Sequence, residues 1–541
     1  MVIERAAVVG TRFWRSAVTE LVPAEFRGTI PSLLPLLVRK ELVRPDPSAV
    51  AGEDGYRFRH ILIRDAAYRA IAKELRADLH ERFATLIETT ASLRLIEIEE
   101  ILGYHLEQAF QYRVELAGVG DDAAELAARA AKHLAAAGGR ALARGDVSAA
   151  ANLLTRTAAL VPPDAPERIE LLPALGGALV LAGDLPQAED VLTEAIEAGA
   201  AAGNRRVELH ARLERAFLRA LTHPEHGLEH LRQIADEAIP ELEALGDDIG
   251  LAKAWRRIAD VHWMSNRWGK QERALERALT HAERAGDSRE VGGIRMRLAM
   301  ALYWGPTRVP QAIDRAERTL ALARGNPAVE STFLVSLAGL HAMSDRFDEA
   351  RGLLARGEGI AEELGFRLWF AGFSLVSADV ELLAGDPVAA ERKLRRGYSI
   401  LEGLGERRVR ATVASRLAKV VYLQGRYDEA EHLTKTSEQL AGTGDVASQI
   451  EWRSVRAKLV ARRGELEHAE RLAREALRLA EQTDDLGSQA TVLVDLAEVL
   501  RSAGRTGDTI ALLDRAGELF EEKGNVVAAR AAREILSRAQ T

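Results

Sequence analysis

The chain has 541 residues, 47% of them apolar, 28% charged and 5% aromatic, with a formal charge of −8. That length exceeds what one hydrophobic core fills, so several domains or a repeat array are expected, and an apolar share dominated by Ala and Leu favours packed helices. The slightly acidic balance argues against a chain-wide polyanion-binding surface, and the lack of cysteine excludes disulfides, thiolate zinc sites and cysteine nucleophiles, in keeping with a reducing cytoplasm.

At the N-terminus, Glu4, Arg5, Arg12 and Arg15 stand where a secretion signal needs an unbroken apolar stretch. No apolar run anywhere reaches the roughly eighteen residues of a membrane span, so the chain reads as soluble. Helices are expected over 2–22 and 30–40. Glu41–Arg44 and Tyr56–Arg59 flank a turn-rich stretch from Pro45 to Gly55 and predict one β-hairpin with a long loop. Helices followed by a hairpin make a winged-helix-like segment, assigned to 1–95. DNA reading is disfavoured there: 15 Arg and Lys stand against 12 Asp and Glu, and Arg39 and Lys40 sit at the C-terminal end of the second helix, away from the residues that would reach bases. A packing role is expected instead. His60, Arg64 and Asp65 are read as holding the hairpin on the next helix, around a buried run Ile61–Ile63, rather than as a catalytic trio. Residues 96–121 are expected to form a helical linker, with Glu97, Glu99 and Glu100 on a solvated face.

Four phrases in this region, Glu41-Leu42-Val43-Arg44, Tyr56 to Tyr68, Leu79-His80-Glu81-Arg82 and Gly103 to Ala109, occur in an order that resembles the region following the nucleotide-binding domain of large bacterial signal-transduction ATPases. Such proteins carry adenylate/guanylate cyclase or transcription-activating modules and end in tetratricopeptide repeats (TPRs). The resemblance implies the C-terminal half of such a regulator, as a truncated product or a stand-alone sensor arm. Nucleotide chemistry is not carried over, because no Gly-x-x-x-x-Gly-Lys-[Ser/Thr] loop occurs; Gly269-Lys270 has Met264 where the first glycine would stand. Two alternatives stay open: a fragment of an ATP-binding cyclase-type regulator, and a DNA-binding regulator acting through the winged helix.

From 122 to 541 a repeat governs. Small residues return at Gly138, Gly176, Ala216, Ala259, Ala299, Ala338, Ala378, Ala418, Ala457 and Ala497, spaced by 38 to 43 residues. About seven residues after most of them comes a turn, such as Gly183-Asp184, Gly385-Asp386 or Gly425-Arg426-Tyr427, and then a second small residue, as at Ala188, Ala390 and Ala430. Helix pairs that cross closely need small residues at the crossing, and glycine takes the left-handed conformation that ends a helix. Leu181 to Ala188 and Gln424 to Ala430 resemble the TPR motif, in a long-helix form. The fold class expected is therefore all-α: a winged-helix-like N-terminal segment with one β-hairpin, then a right-handed α-α superhelix of about ten TPR-like repeats. The second small residue is missing at Leu228, Gln271 and Thr509, the register slips at Gly305, and 526–538 reads as a closing helix.

No catalytic, cofactor-binding or metal-binding residues are assigned. His223, His226 and His230 include an i, i+4 pair that suits zinc, but no Glu follows the first histidine as in His-Glu-x-x-His, and the phrase, placed at a repeat turn, reads as a solvated turn. What departs from the Ala/Leu background is a cluster of aromatics in the middle of the array. Trp255 is expected in the core. Trp263, Tyr303, Trp304, Trp369 and Phe370, with Arg256, Asp260 and His262 beside Trp263, form the candidate partner-binding set, with groove and core both open for Trp263 and Trp369. The expected function is a non-catalytic, cytoplasmic scaffold or sensor arm that holds a protein or peptide partner, or a small effector, in the groove.

Overall fold

A computed structural model describes residues 1–541 apart from 48–52, 91–94, 145, 223, 324, 366, 443 and 541, and the backbone alone at 90, 95–97, 224–226 and 369. The chain divides into two compact units, Met1–Arg215 and Ala216–Thr541.

The first unit opens with α1 (Val2–Val9), β1 (Arg12–Trp14), α2 (Arg15–Leu21), a 3-10 turn (Ala24–Thr29), α3 (Ile30–Arg39), β2 (Val43–Pro45), β3 (Gly55–Phe58) and α4 (Ile61–Arg69). The three strands form an antiparallel sheet in the order β1-β3-β2, with Arg12 and Arg44 both aligned on Arg57. Alternation along a strand sends Phe13, Val43 and Phe58 to the buried face and the three arginines to the other. The sheet has one strand more than the hairpin expected. The helix expected over 2–22 is two helices, because Gly10, at φ 148°, ends α1 in a conformation that a side chain would strain. The residues that follow pair with β3 before the chain turns helical again.

The run Ile61–Ile63 is not buried: Ile61 is 47% and Leu62 67% exposed. His60 caps α4 by accepting from the Leu62 amide, and successive helical side chains point about 100° apart, so three in a row cannot share one covered face. Arg64 donates to the Ala7 carbonyl at 3.1 Å, holding α4 on α1 rather than on the hairpin.

Next come α5 (Lys73–Thr90) and α6 (Leu95–Ala117), which pack side by side. Between them lies a buried polar chain. His80 Nδ1 meets His105 Nδ1 at 2.8 Å, His80 Nε2 meets the Tyr68 hydroxyl at 2.8 Å, and that hydroxyl meets Tyr112 at 3.1 Å. Arg76 lies over both tyrosine rings. Burial, then Arg64 and Arg76, pushes the His80 pKa down to about 3, and burial followed by His80 holds His105 well below its ordinary value.

Helix pairs follow: α7 (Asp121–Ala143) with α8 (Val147–Leu160), α9 (Pro166–Ala182) with α10 (Leu185–Ala201), and α11 (Arg205–Thr222), in which the first unit ends. The small residues act as expected. A Cβ on Gly176 would lie 2.3 Å from Leu192 Cδ2, and one on Gly138 2.8 Å from Leu154 Cδ2, so the partner leucine occupies the missing side chain's space. Gly183 ends α9 at φ 86°, and Asp184 caps α10 through the Gln187 amide.

The second unit continues the series with α12 (Pro224–Leu245), α13 (Asp248–Met264), α14 (Trp268–Arg284), α15 (Ser288–Trp304), α16 (Val309–Leu322), α17 (Pro327–Met343), α18 (Phe347–Glu363), α19 (Arg367–Leu383) and α20 (Pro387–Gly403). It ends with α21 (Arg408–Leu423), α22 (Tyr427–Leu440), α23 (Val446–Arg462), α24 (Leu466–Ala480), α25 (Leu486–Ser502), α26 (Thr506–Lys523) and the closing helix α27 (Val526–Gln540). The described apolar clusters run along this order, each helix pair sharing its core with the next. Where a turn lacks glycine, Asn266 and Asp345 take positive φ themselves, at 55° and 65°. The residues at the poorly matching second positions, Gln271 and Thr509, are buried all the same.

Candidate functional site: the inner face of the second unit

In a stack of helix hairpins the first helices line one face, and residues next to the small landmark point along it. In the second unit those positions carry charge where a packed helix would otherwise be apolar. On α13, Arg257 pairs with Asp260 at 2.7 Å, and Asp260 reaches Arg297 of α15 at 3.6 Å. Arg256 bonds Glu290 across the same helices. Burial opposes the charge on Glu290, but Arg256 and Lys253 prevail and its pKa is lowered.

The next step is longer. The Tyr303 hydroxyl donates to Asp379 at 3.0 Å, from α15 to α19, passing over α17. Gly339 makes the passage: a Cβ there would lie 2.3 Å from the tyrosine ring. Asp379 pairs with Arg416 of α21, and Arg416 with Glu451 of α23 at 2.5 Å, while Ser415 donates to Glu451 at 2.8 Å. Burial works against the Arg416 charge, yet the two carboxylates raise its pKa. Burial raises Asp379 more than Arg416 lowers it. The same device recurs three repeats on. Tyr422 donates to Glu498, from α21 to α25, across α23, where Lys458 lies 4.5 Å from the Tyr422 ring. Lys458 pairs with Asp495 at 2.7 Å, and Ser454 donates to the same carboxylate at 2.7 Å.

Of the sequence-derived set, the structure brings Arg256, Asp260 and Trp304 to this face, whereas Tyr303, 1% exposed, is a core residue that reaches the face only through its hydroxyl. Trp304 lies edge-on to Tyr303, stacks on Trp268 at 6.3 Å and carries the Arg416 guanidinium 5.7 Å from its centroid. Trp263 has Arg408 at 4.9 Å over its ring. His262 is buried, and burial, then Arg232 and Lys270, lowers its pKa to about 4; those neighbours belong to α12 and α14, so it faces the second helices. Phe370 is 8% exposed beneath Arg396 of α20 and likewise sits apart. The side chain of Trp369, and those of His223 and His226, lie outside the described residues. The aromatic pattern does not mark Arg297, Asp379, Arg416, Glu451, Lys458 and Asp495; in the sequence all of these but Glu451 stand one place after, or two places before, a small landmark. The described ionised groups on this face are largely paired with one another, and among the described residues no group of three or more His, Asp or Glu could hold a metal ion. The arrangement offers paired recognition of charge beside aromatic surface.

The array is a TPR-like helical repeat. No family model matches the chain, and no curated protein matches it. Among solved structures, it is similar to a Rap protein complexed with competence and sporulation factor, with a TM-score of 0.42 and 15% identity, covering 70% of this chain and 98% of that one. It is also similar to the APC/C hetero-tetramer Cut9–Hcn1, with a TM-score of 0.42 and 12% identity, covering 88% and 98%. For yeast Tom70 the TM-score is 0.35 at 12% identity, covering 83% and 97%. No described helix is long and apolar enough to cross a membrane.

Proposed function

We propose that the chain is a non-catalytic scaffold and sensor arm of a bacterial signalling or transcription regulator, and that it holds a protein or peptide partner on the inner face of its repeats. In this reading 1–95 is the winged-helix-like relay, 96–121 the linker and 122–541 the binding array. The observation that carries it is the inner face of the second unit, where buried charges on α13, α19 and α21 lie beside Trp263 of α13 and Trp304 of α15. Buried ion pairs stabilise little compared with well-packed apolar side chains of similar volume, so a line of them kept along one face is better explained by recognition than by folding. An incoming segment with its own charges exchanges partners with Asp260, Arg297 and Arg416 while an apolar side chain of that segment lies against the tryptophans.

The test is selection of binders from a displayed random-peptide library on the full chain. Selected peptides should lose roughly tenfold or more in affinity, about 1.4 kcal/mol, on Trp304→Ala and on Asp260→Ala. They should be indifferent to Arg396→Ala on the other side of the array. A library that yields no binder, or binders insensitive to both inner-face substitutions, overturns the reading.

A further inference from the structure

The second unit also makes contacts that the repeat does not require. Arg408, at the start of α21, donates to the carbonyl of Met264, the last residue of α13, at 3.3 Å while lying over Trp263. Asp484, in the turn before α25, accepts from the Gly269 amide at 3.0 Å and so caps the first turn of α14. Lys523, the last residue of α26, points its ammonium into the end of α15 and donates to the carbonyls of Leu302, Gly305 and Thr307 at 3.4, 2.5 and 3.0 Å. Arg530 of α27 pairs with Asp345, in the turn after α17, at 2.9 Å. Each contact joins helices four to six pairs apart, and together they run as one seam. The array curls until its last pairs meet its middle ones.

The chemistry of the seam differs from that of the array. Along the chain, neighbouring pairs are joined by apolar clusters. Across the seam three of the four contacts are helix ends capped by single charged side chains, which complement the partial charges left at helix termini, and the fourth is the ion pair of Arg530 with Asp345. The closure is also incompletely satisfied: Trp268 Nε1 and Asp484 Oδ1 are buried there without a hydrogen-bond partner. Lys523 is 3% exposed, with no carboxylate within ion-pairing distance among its described contacts. A permanent seam would be apolar and saturated. One made from a few charge-to-backbone contacts, with unmet polar groups inside it, lies close in free energy to its open form.

We propose that this seam is a reversible clasp: the closed second unit is the self-occupied state of the groove, and release of Asp484, Lys523 and Arg408 from the ends of α14, α15 and α13 uncovers Trp263 and Trp304 for a partner. Arg416 over Trp304 and Arg408 over Trp263 take the place the partner's own cation would hold. The idea rests on the inner-face reading for its purpose, but the movement is measurable without any partner.

Two variants test it. The chain has no cysteine, and a Cβ built at Gly524 lies 3.5 Å from Val309 Cβ across the seam, within the span of a disulfide. Val309→Cys with Gly524→Cys therefore locks the clasp on oxidation. Asp484→Ala with Lys523→Met releases it. On release, the tryptophan fluorescence open to acrylamide should rise by about two of the chain's seven tryptophans, far-UV helicity should hold, and the gain should vanish in a Trp263→Phe, Trp304→Phe background. In the cysteine pair, oxidation should slow amide hydrogen exchange in α13–α16 by roughly tenfold or more relative to the reduced form. This second arm compares two redox states of one variant, so the strain of a side chain at Gly524, φ 83°, is common to both, and it decides the matter if the released variant does not fold. Equal exchange in the oxidised and reduced forms, or a folded released variant no more open to acrylamide than the parent, overturns the clasp. Selected peptides that bind the reduced but not the oxidised form support both proposals. Peptides that bind both forms equally overturn the gating alone, and no binder to any form overturns the inner-face reading while leaving the measured opening in place.

Discussion

Acidification should destabilise the first unit, and the reason is the pair His80 and His105. Both are buried, at 0% and 2% exposure, and joined Nδ1 to Nδ1, a bond that needs one nitrogen bare and the other protonated. In the folded state His80 stays neutral down to about pH 3. Unfolding returns it to the ordinary value of 6.5, so the unfolded chain takes the proton first. Stability is therefore whole above pH 6.5, falls as pH drops through that value and goes on falling until about 3. Each pH unit inside the window costs about 1.4 kcal/mol, so His80 alone removes about 2 kcal/mol between pH 7 and pH 5. His105, also lowered by burial, adds a loss of the same sign. Trp14 provides the readout: it is the first unit's only tryptophan and packs on Phe83 of α5 at 5.7 Å. With 5-fluorotryptophan incorporated, urea titration by fluorine NMR follows Trp14 separately from the six tryptophans of the second unit. The Trp14 midpoint should drop between pH 7 and pH 5, and His80→Gln with His105→Gln should flatten that drop. A midpoint unchanged between the two pH values, or the same drop in the double variant, would refute the reasoning.

Gly339→Ala puts a methyl 2.3 Å from the Tyr303 ring; the overpacking cost of about 1–3 kcal/mol should exceed the gain of about 1 kcal/mol in helix propensity, giving a lower urea midpoint for the second unit. Lys458→Met takes the direct ion pair from Asp495 and leaves it the Ser454 hydroxyl and the charge of Lys419. The expected loss is about 3–5 kcal/mol, most of it regained when Asp495→Leu is added, as a double-mutant cycle on unfolding free energies will show. Arg57 lies directly between Arg12 and Arg44 in the sheet. Like charges directly opposite are unfavourable, so Arg57→Thr should stabilise the first unit by about 0.2–1 kcal/mol at low salt, and less at high salt. A loss of stability on that change would mean that the arginine row is held by partners that charge repulsion does not describe.

How much could be read in advance differs between the parts of the molecule. Helix pairs of about forty residues were legible because they rest on local chemistry. Gly176 and Gly138 must be small for a neighbouring leucine to enter, Gly183 must accept positive φ, and Asp184 must cap the helix after it. Each is a short-range demand that recurs at one period. The small N-terminal sheet was half legible. The hairpin showed in its turn residues, whereas β1 is three residues long between two helices, and its strand character comes from pairing with β3, forty-odd residues away in the chain. Tyr303 and Trp304 stand out in the sequence because aromatics depart from its Ala/Leu background, whereas the charges they meet do not stand out.

What the amino-acid sequence determined by itself is thus the repeat: its period, its turns and the small contacts inside each pair, all set by groups within one or two helices of each other. Which charges pair, and whether the face is open, only the tertiary structure decided. Asp379 meets Tyr303 across an intervening helix, Lys523 finds the carbonyls that end α15, and Asp484 finds the amides that begin α14. Small rotations summed over several helix pairs set those distances, and no local residue pattern encodes that sum.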